Sequence, residues 1–123
     1  MLGTFVLSAG YYDAYFTKAQ KVRKLLFDQT KLIFSKFDFI FMPTTPSTAF
    51  RIGEKMDDPI SMYLADIYTV MANLVGIPAI SIPLYQHTNG MPFGLQVLAD
   101  NFNEVNLLHF SNLLIDQYSL KNS

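Results

Sequence analysis

Between Ile67 and Ala99 the chain carries no Asp, Glu, Lys or Arg, an uncharged run of 33 residues. Only a protein interior or a bilayer accommodates so long a stretch without charge. A membrane helix needs about 20 predominantly apolar residues in succession. Here Asn73, Gly76, Pro78, Pro83, Gln86, His87, Asn89, Gly90 and Pro92 punctuate the run. It therefore predicts buried strands and turns, with no membrane span.

Within the run, Ile67–Val75 reads as a helix stopped by Gly76 in the left-handed conformation, with Pro78 two residues on. Residues 79–85 and 93–98 read as strands. The turn cluster His87-Thr88-Asn89-Gly90 lies between them, predicting an antiparallel hairpin. Pro83 lacks an N–H and marks an edge or a local irregularity.

Upstream, a helical period runs from about Asp13 to Phe37. It gathers Tyr15, Ala19, Val22, Leu26, Ile33 and Phe37 on one face, with Phe16, Phe27 and Phe34 as a second apolar stripe. Lys18, Lys21, Lys24, Asp28 and Lys31 form a polar face. Residues 37–42 predict a strand closed by Pro43, and Pro43-Thr-Thr-Pro46-Ser-Thr48 a loop at its carboxyl end, where ligands collect in open α/β sheets. Asp58 as cap and Pro59 at the first helical position open a helix through Tyr63 and Leu64. A last helix fits Glu104–Tyr118, capped by Asn103 or Asn101, with Leu107, Leu108, Leu114 and Ile115 facing inward.

The 123 residues make one α/β unit or a piece of a larger one, with no linker or repeat. The balance of 9 Lys+Arg against 10 Asp+Glu gives no nucleic-acid footprint, so the basic helix stripe reads as a solvated face. Half the residues are apolar and 11 are Phe, which excludes disorder. The absence of Cys removes disulfides, thiolate nucleophiles and Cys-ligated zinc. Met1–Leu7 lacks the basic residues of a secretory leader, and Leu2 stands where myristoylation needs Gly.

Catalytic templates fail: there is no Gly-x-Ser-x-Gly elbow, no phosphate loop and no His-Glu-x-x-His. Ser81, His87 and Asp100 make a triad only on paper, and His109 reads as a packed or half-exposed helical histidine. Asp66, the last carboxylate before the uncharged run, has two readings. It caps the Ile67–Val75 helix with its side-chain oxygen, or it anchors a cationic substrate group at the rim of an apolar pocket. The residues alone favour the cap.

Asp66-Ile-Tyr-Thr69-Val-Met-Ala-Asn73-Leu-Val-Gly76-Ile-Pro78-Ala-Ile-Ser81-Ile-Pro83, followed by Gly90-Met-Pro92-Phe-Gly94-Leu-Gln96, resembles the carboxyl-terminal part of the amidase signature family, as does Pro43-Thr-Thr-Pro46. Leu2-Gly-Thr-Phe-Val-Leu-Ser-Ala-Gly-Tyr-Tyr-Asp-Ala-Tyr15, Lys18-Ala-Gln-Lys-Val-Arg23, Ile52-Gly-Glu-Lys55 and Asp57-Asp-Pro59 are similar to its members that serve tRNA-dependent amidotransferases. Met71, Val75 and Leu84-Tyr85 depart from the pattern. The resemblance implies a mixed sheet flanked by helices, of which this chain is the carboxyl-terminal portion. It implies a Ser–cis-Ser–Lys triad that no residue here matches, so no catalytic residue is expected in this chain.

The resemblance further implies that glutamine is the substrate, with Asp66 holding its α-ammonium and an arginine ahead of Met1 gripping its carboxylate. The ammonia released would pass to a partner B subunit, which uses ATP and Mg to convert Glu-tRNA(Gln) to Gln-tRNA(Gln), in a heterotrimer completed by a C subunit. The expected setting is the bacterial cytoplasm, or an organelle. The alternatives are a piece of another amide hydrolase of the family, or a non-catalytic interaction module.

Overall fold

The computed structural model describes residues 15–51 and 59–122. Its elements are α1 (Thr17–Phe34), β1 (Phe39–Pro43), α2 (Pro59–Ala65), α3 (Ile67–Val75), β2 (Ala79–Gln86), β3 (Pro92–Ala99) and α4 (Glu104–Asn122). The cap expected at Asp58, and the segments 2–14, 52–55 and 57–58 that carried part of the resemblance, lie outside the described residues.

The three strands form one sheet in the order β1-β3-β2, antiparallel throughout. β3 takes the centre because it is apolar on both faces. Val97 and Ala99 point to one side and join Ile82, Leu84 and Leu107 of α4. Leu98 points to the other and joins Ala72, Val75 and Ile77, with Leu26, Phe27 and Phe34 of α1 packed on top. The α/β sandwich is thus α4, then the sheet, then α1 with α3.

β1 begins at Phe39, two residues later than expected, and ends as expected at Pro43, its last residue, which lies opposite Leu95. An edge strand tolerates proline because its outer N–H positions face no partner. On the other edge, the β2–β3 register slips between Ile82 and Tyr85. Three steps along β2 match two along β3, so the irregularity expected of Pro83 is a bulge.

Two helices bury only part of the apolar faces expected of them. The face of α1 that meets the sheet is Leu26, Phe27, Thr30 and Phe34, whereas Tyr15, Val22, Ile33 and Phe37 stand exposed. α1 carries two apolar stripes, so the wheel alone does not choose between them; tertiary contact does. In α4 the inward set is Leu107, Phe110, Ser111 and Leu114, and Leu108 and Ile115 are exposed. Phe110 decides the orientation by stacking on Phe39 at a centroid distance of 4.4 Å. The buried hydroxyls of Thr30 and Ser111 are satisfied within their helices by Leu26 O and Leu107 O. α4 starts at Glu104 as expected. Asn103 Oδ1 accepts from Asn106 Nδ2, and the Asn101 amide reaches away to Gly76 O.

The basic stripe of α1 is partly neutralised. Lys24 pairs with Asp28 at 2.7 Å and Lys31 with Asp100 at 2.5 Å, the two lysines flanking the Phe27 ring. The Lys31 hydrogen bond, helped by the Asn101 N–H, holds the Asp100 carboxyl below its ordinary range. No helix among the described residues is long and apolar enough to cross a membrane.

Candidate functional site

The sheet face that looks toward α3 changes character along β3. Leu98 belongs to the apolar core, but two residues back stands Gln96, and two further back Gly94. Ser81 of β2 lies in register with Gln96. Thr44, just beyond β1, donates its N–H to Gly94 O at 3.0 Å, and its hydroxyl pairs with Ser81 Oγ at 2.6 Å. Position 94 has to be glycine for this pair to form. A Cβ there would stand 2.3 Å from Ser81 Oγ and 2.8 Å from Thr44 Oγ1. The result is a polar floor carrying no charge.

The start of α3 closes over that floor. Gln96 Nε2 donates to Tyr68 O at 3.2 Å, Thr69 Oγ1 to Asp66 O at 3.1 Å, and Asn73 Nδ2 to Thr69 O at 3.2 Å. Thr44, Thr69, Asn73, Ser81 and Gln96 border a depression of about 310 Å3. A second, of about 430 Å3, lies among Thr45, Ser47, Tyr68, His87 and Phe93. Asn89 Nδ2 bonds Thr48 Oγ1 at 3.4 Å, tying the hairpin turn to the loop after β1. Neither depression has an Asp, Glu, Lys or Arg in its lining.

Asp66 stands at the junction of α2 and α3, two residues before Tyr68. It occupies the cap position, with φ −100° and ψ 4°, but its side chain makes no capping hydrogen bond. The cap reading is therefore corrected. The main chain does the work instead, since Asp66 O accepts from Thr69 N, Val70 N and Thr69 Oγ1, each at 3.1 Å. The residue is exposed. Its backbone is pinned while its carboxylate remains available to solvent or a ligand.

The paper triad does not assemble. Ser81 is engaged with Thr44, Asp100 with Lys31, and His87 Nδ1 accepts from Asn89 N at 3.4 Å. His109 is exposed, beside Asp38 and Phe110. Among the described residues, no group of three or more His, Asp or Glu side chains could hold a metal ion. Sequence reading placed Thr44 in a loop where ligands collect but gave no role to Gly94 or Gln96. The close approach at Gly94 was the available signal, because a glycine inside a strand marks a bulge or a tight contact.

The Amidase family profile matches residues 1–108. The A subunit of glutamyl-tRNA(Gln) amidotransferase from Pelagibacter ubique is 52% identical over 122 residues, covering 99% of this chain and 25% of that protein. The corresponding subunit of Koribacter versatilis is 55% identical over 112 residues, covering 91% and 23%. Among solved structures, the A subunit from Thermotoga maritima superimposes with a TM-score of 0.71 at 51% identity, over 83% of this chain and 22% of that one. A 6-aminohexanoate cyclic dimer hydrolase gives 0.70 at 23% identity, over 85% of this chain and 23% of that one, a likeness of fold alone. The chain spans about a quarter of the length of the relatives it matches. By its sequence pattern and its architecture, this chain belongs to the amidase family.

Proposed function

We propose that this chain forms the glutamine-binding part of the glutaminase component of a tRNA-dependent amidotransferase, the component that releases ammonia for conversion of Glu-tRNA(Gln) to Gln-tRNA(Gln). The observation that carries the reading is Asp66, an exposed carboxylate without a capping bond, whose main-chain carbonyl is held by Thr69, a residue that lines the uncharged depression. An α-ammonium supplies what such a carboxylate lacks, through a charge-assisted hydrogen bond. The floor of Thr44 and Ser81 suits the neutral part of a small polar amino acid, since it offers hydroxyl groups and no competing charge. The identity of 51% to the Thermotoga maritima amidotransferase, against 23% to the cyclic dimer hydrolase, favours the amidotransferase over other amide hydrolases.

Acyl transfer itself falls to residues outside this chain, by resemblance a serine activated through the Ser–cis-Ser–Lys arrangement. The serine oxygen attacks the side-chain carbonyl of glutamine, the C–N bond breaks, and ammonia leaves with the proton that the serine gave up. Water then releases glutamate. The ammonia serves a partner B subunit, where ATP and Mg activate the glutamyl end of the tRNA, with a C subunit completing the complex in the bacterial cytoplasm. The test is a graft. This chain, placed over the matching quarter of the Thermotoga maritima protein, supports glutamine-dependent amidation in the assembled enzyme. A folded, assembled graft that works with ammonium but not with glutamine contradicts the reading.

A further inference from the structure

Gln96 carries a buried amide at a position where an apolar side chain would serve the core equally well. It is 4% exposed, in the central strand, between Met42 of β1 and Ser81 of β2. Burying an amide is unfavourable unless it is bonded, and a methionine would fill the place with almost the same volume and no such cost. What the amide adds is one long-range contact, from Nε2 to the main-chain carbonyl of Tyr68, 28 residues away in sequence.

That carbonyl belongs to the first turn of α3, two residues after Asp66. The same turn is drawn together from within by the three donors on Asp66 O. The far end of α3 is held by packing of Ala72 and Val75 on Leu98. Among the described side chains, Gln96 is the one from the sheet that hydrogen-bonds the main chain of this first turn. A carboxylate that has to meet an ammonium group at a fixed point needs its turn fixed relative to the sheet that forms the site's floor.

We infer that Gln96 is a positioning residue, whose amide holds the first turn of α3 on the sheet and so fixes where Asp66 presents its carboxylate to the ammonium of an α-amino acid. The inference rests on the reading of Asp66 proposed above. Its test is a double-mutant cycle in the grafted Thermotoga maritima enzyme, comparing the parent graft, Asp66→Asn, Gln96→Met and the double variant. Gln96→Met raises KM for glutamine by about five- to tenfold with kcat within about twofold, because the ammonium is remote from the reacting amide. Ammonium-driven amidation is unchanged, and the double variant has the KM of Asp66→Asn alone.

An unchanged KM in Gln96→Met, with Asp66→Asn impaired, overturns the role of Gln96 and leaves the anchor standing. So do effects that multiply in the double variant. An unchanged KM in Asp66→Asn removes the anchor itself, and the inference with it. Gln96→Leu is the second variant. If both apolar variants lose ammonium-driven activity along with glutamine-driven activity, Gln96 is a core residue and the inference is overturned.

Discussion

Replacing Gly94 by alanine would set a methyl carbon 2.3 Å from Ser81 Oγ and 2.8 Å from Thr44 Oγ1, against a hydroxyl pair only 2.6 Å across. The serine hydroxyl can rotate away, but only by breaking that pair. The Ile82 carbonyl, 3.5 Å from the new carbon, is no obstacle. The lost hydroxyl bond costs about 0.5–1.5 kcal/mol, and residual overpacking about 1–3 kcal/mol. Against this, alanine restricts the unfolded chain and recovers about 0.5–1 kcal/mol. Since Ser81 is exposed and can yield, the lower part of each range applies, leaving a net loss of about 1–2 kcal/mol. The measurement is urea unfolding by circular dichroism of the parent, Gly94→Ala, Ser81→Ala and the double variant. Ser81→Ala alone loses the pair, at about 0.5–1 kcal/mol. In the double variant the alanine methyl at 94 meets no hydroxyl from residue 81. The double variant is therefore no less stable than Gly94→Ala, and the cycle shows a favourable coupling of about 1 kcal/mol. Additive effects, or a Gly94→Ala protein as stable as the parent, would refute the steric argument.

The Lys31–Asp100 pair gives a pH signature. Asp100 has a folded pKa below its ordinary value, so its contribution is present above about pH 4 and lost as pH falls through the folded value. Both side chains are more than a third exposed, so screening limits the pair to less than about 1 kcal/mol. Asp100→Asn is thus slightly less stable at pH 7, and the gap closes in acid and at about 1 M salt; a gap that persists in acid contradicts this. Large apolar residues stand exposed along α1 and α4, among them Val22, Leu25, Leu32, Val105 and Leu108, with Phe102 in the turn before α4, and apolar surface of this kind marks a face that another surface covers. The 123-residue chain therefore binds a hydrophobic dye and self-associates in light scattering; a monodisperse, dye-silent monomer excludes such a patch.

Local chemistry made much of the architecture legible. Two short apolar segments, 79–85 and 93–98, with the turn cluster His87-Thr88-Asn89-Gly90 between, specified the hairpin, and Pro83 marked the irregular edge strand. Gly76 stops α3 at φ +76°, as a residue without Cβ readily can. What was not legible depends on groups far apart in the chain. Gln96 bonds across 28 residues and Thr44 pairs with Ser81 across 37. No local pattern encodes either. The buried sides of α1 and α4 were legible only in part for a related reason: each helix carries more apolar residues than one face holds, and its neighbours select which of them are buried. At Asp66 the position was read correctly and the bond was not, because the Thr69 N–H that a capping carboxylate would have accepted donates to the Asp66 carbonyl instead.

The central claim is that Asp66 receives the α-ammonium of glutamine. It is tested most directly by comparing nitrogen donors in one variant, Asp66→Asn, in the assembled amidotransferase. Asparagine keeps the shape and one acceptor but loses the charge, and a hydrogen bond to a charged group is worth about 1.5–3 kcal/mol. At about 1.4 kcal/mol per decade, kcat/KM for glutamine falls about ten- to a hundredfold, mainly through KM. Amidation driven by ammonium chloride keeps its rate, because it bypasses glutamine. Equal retention of both activities would contradict the account.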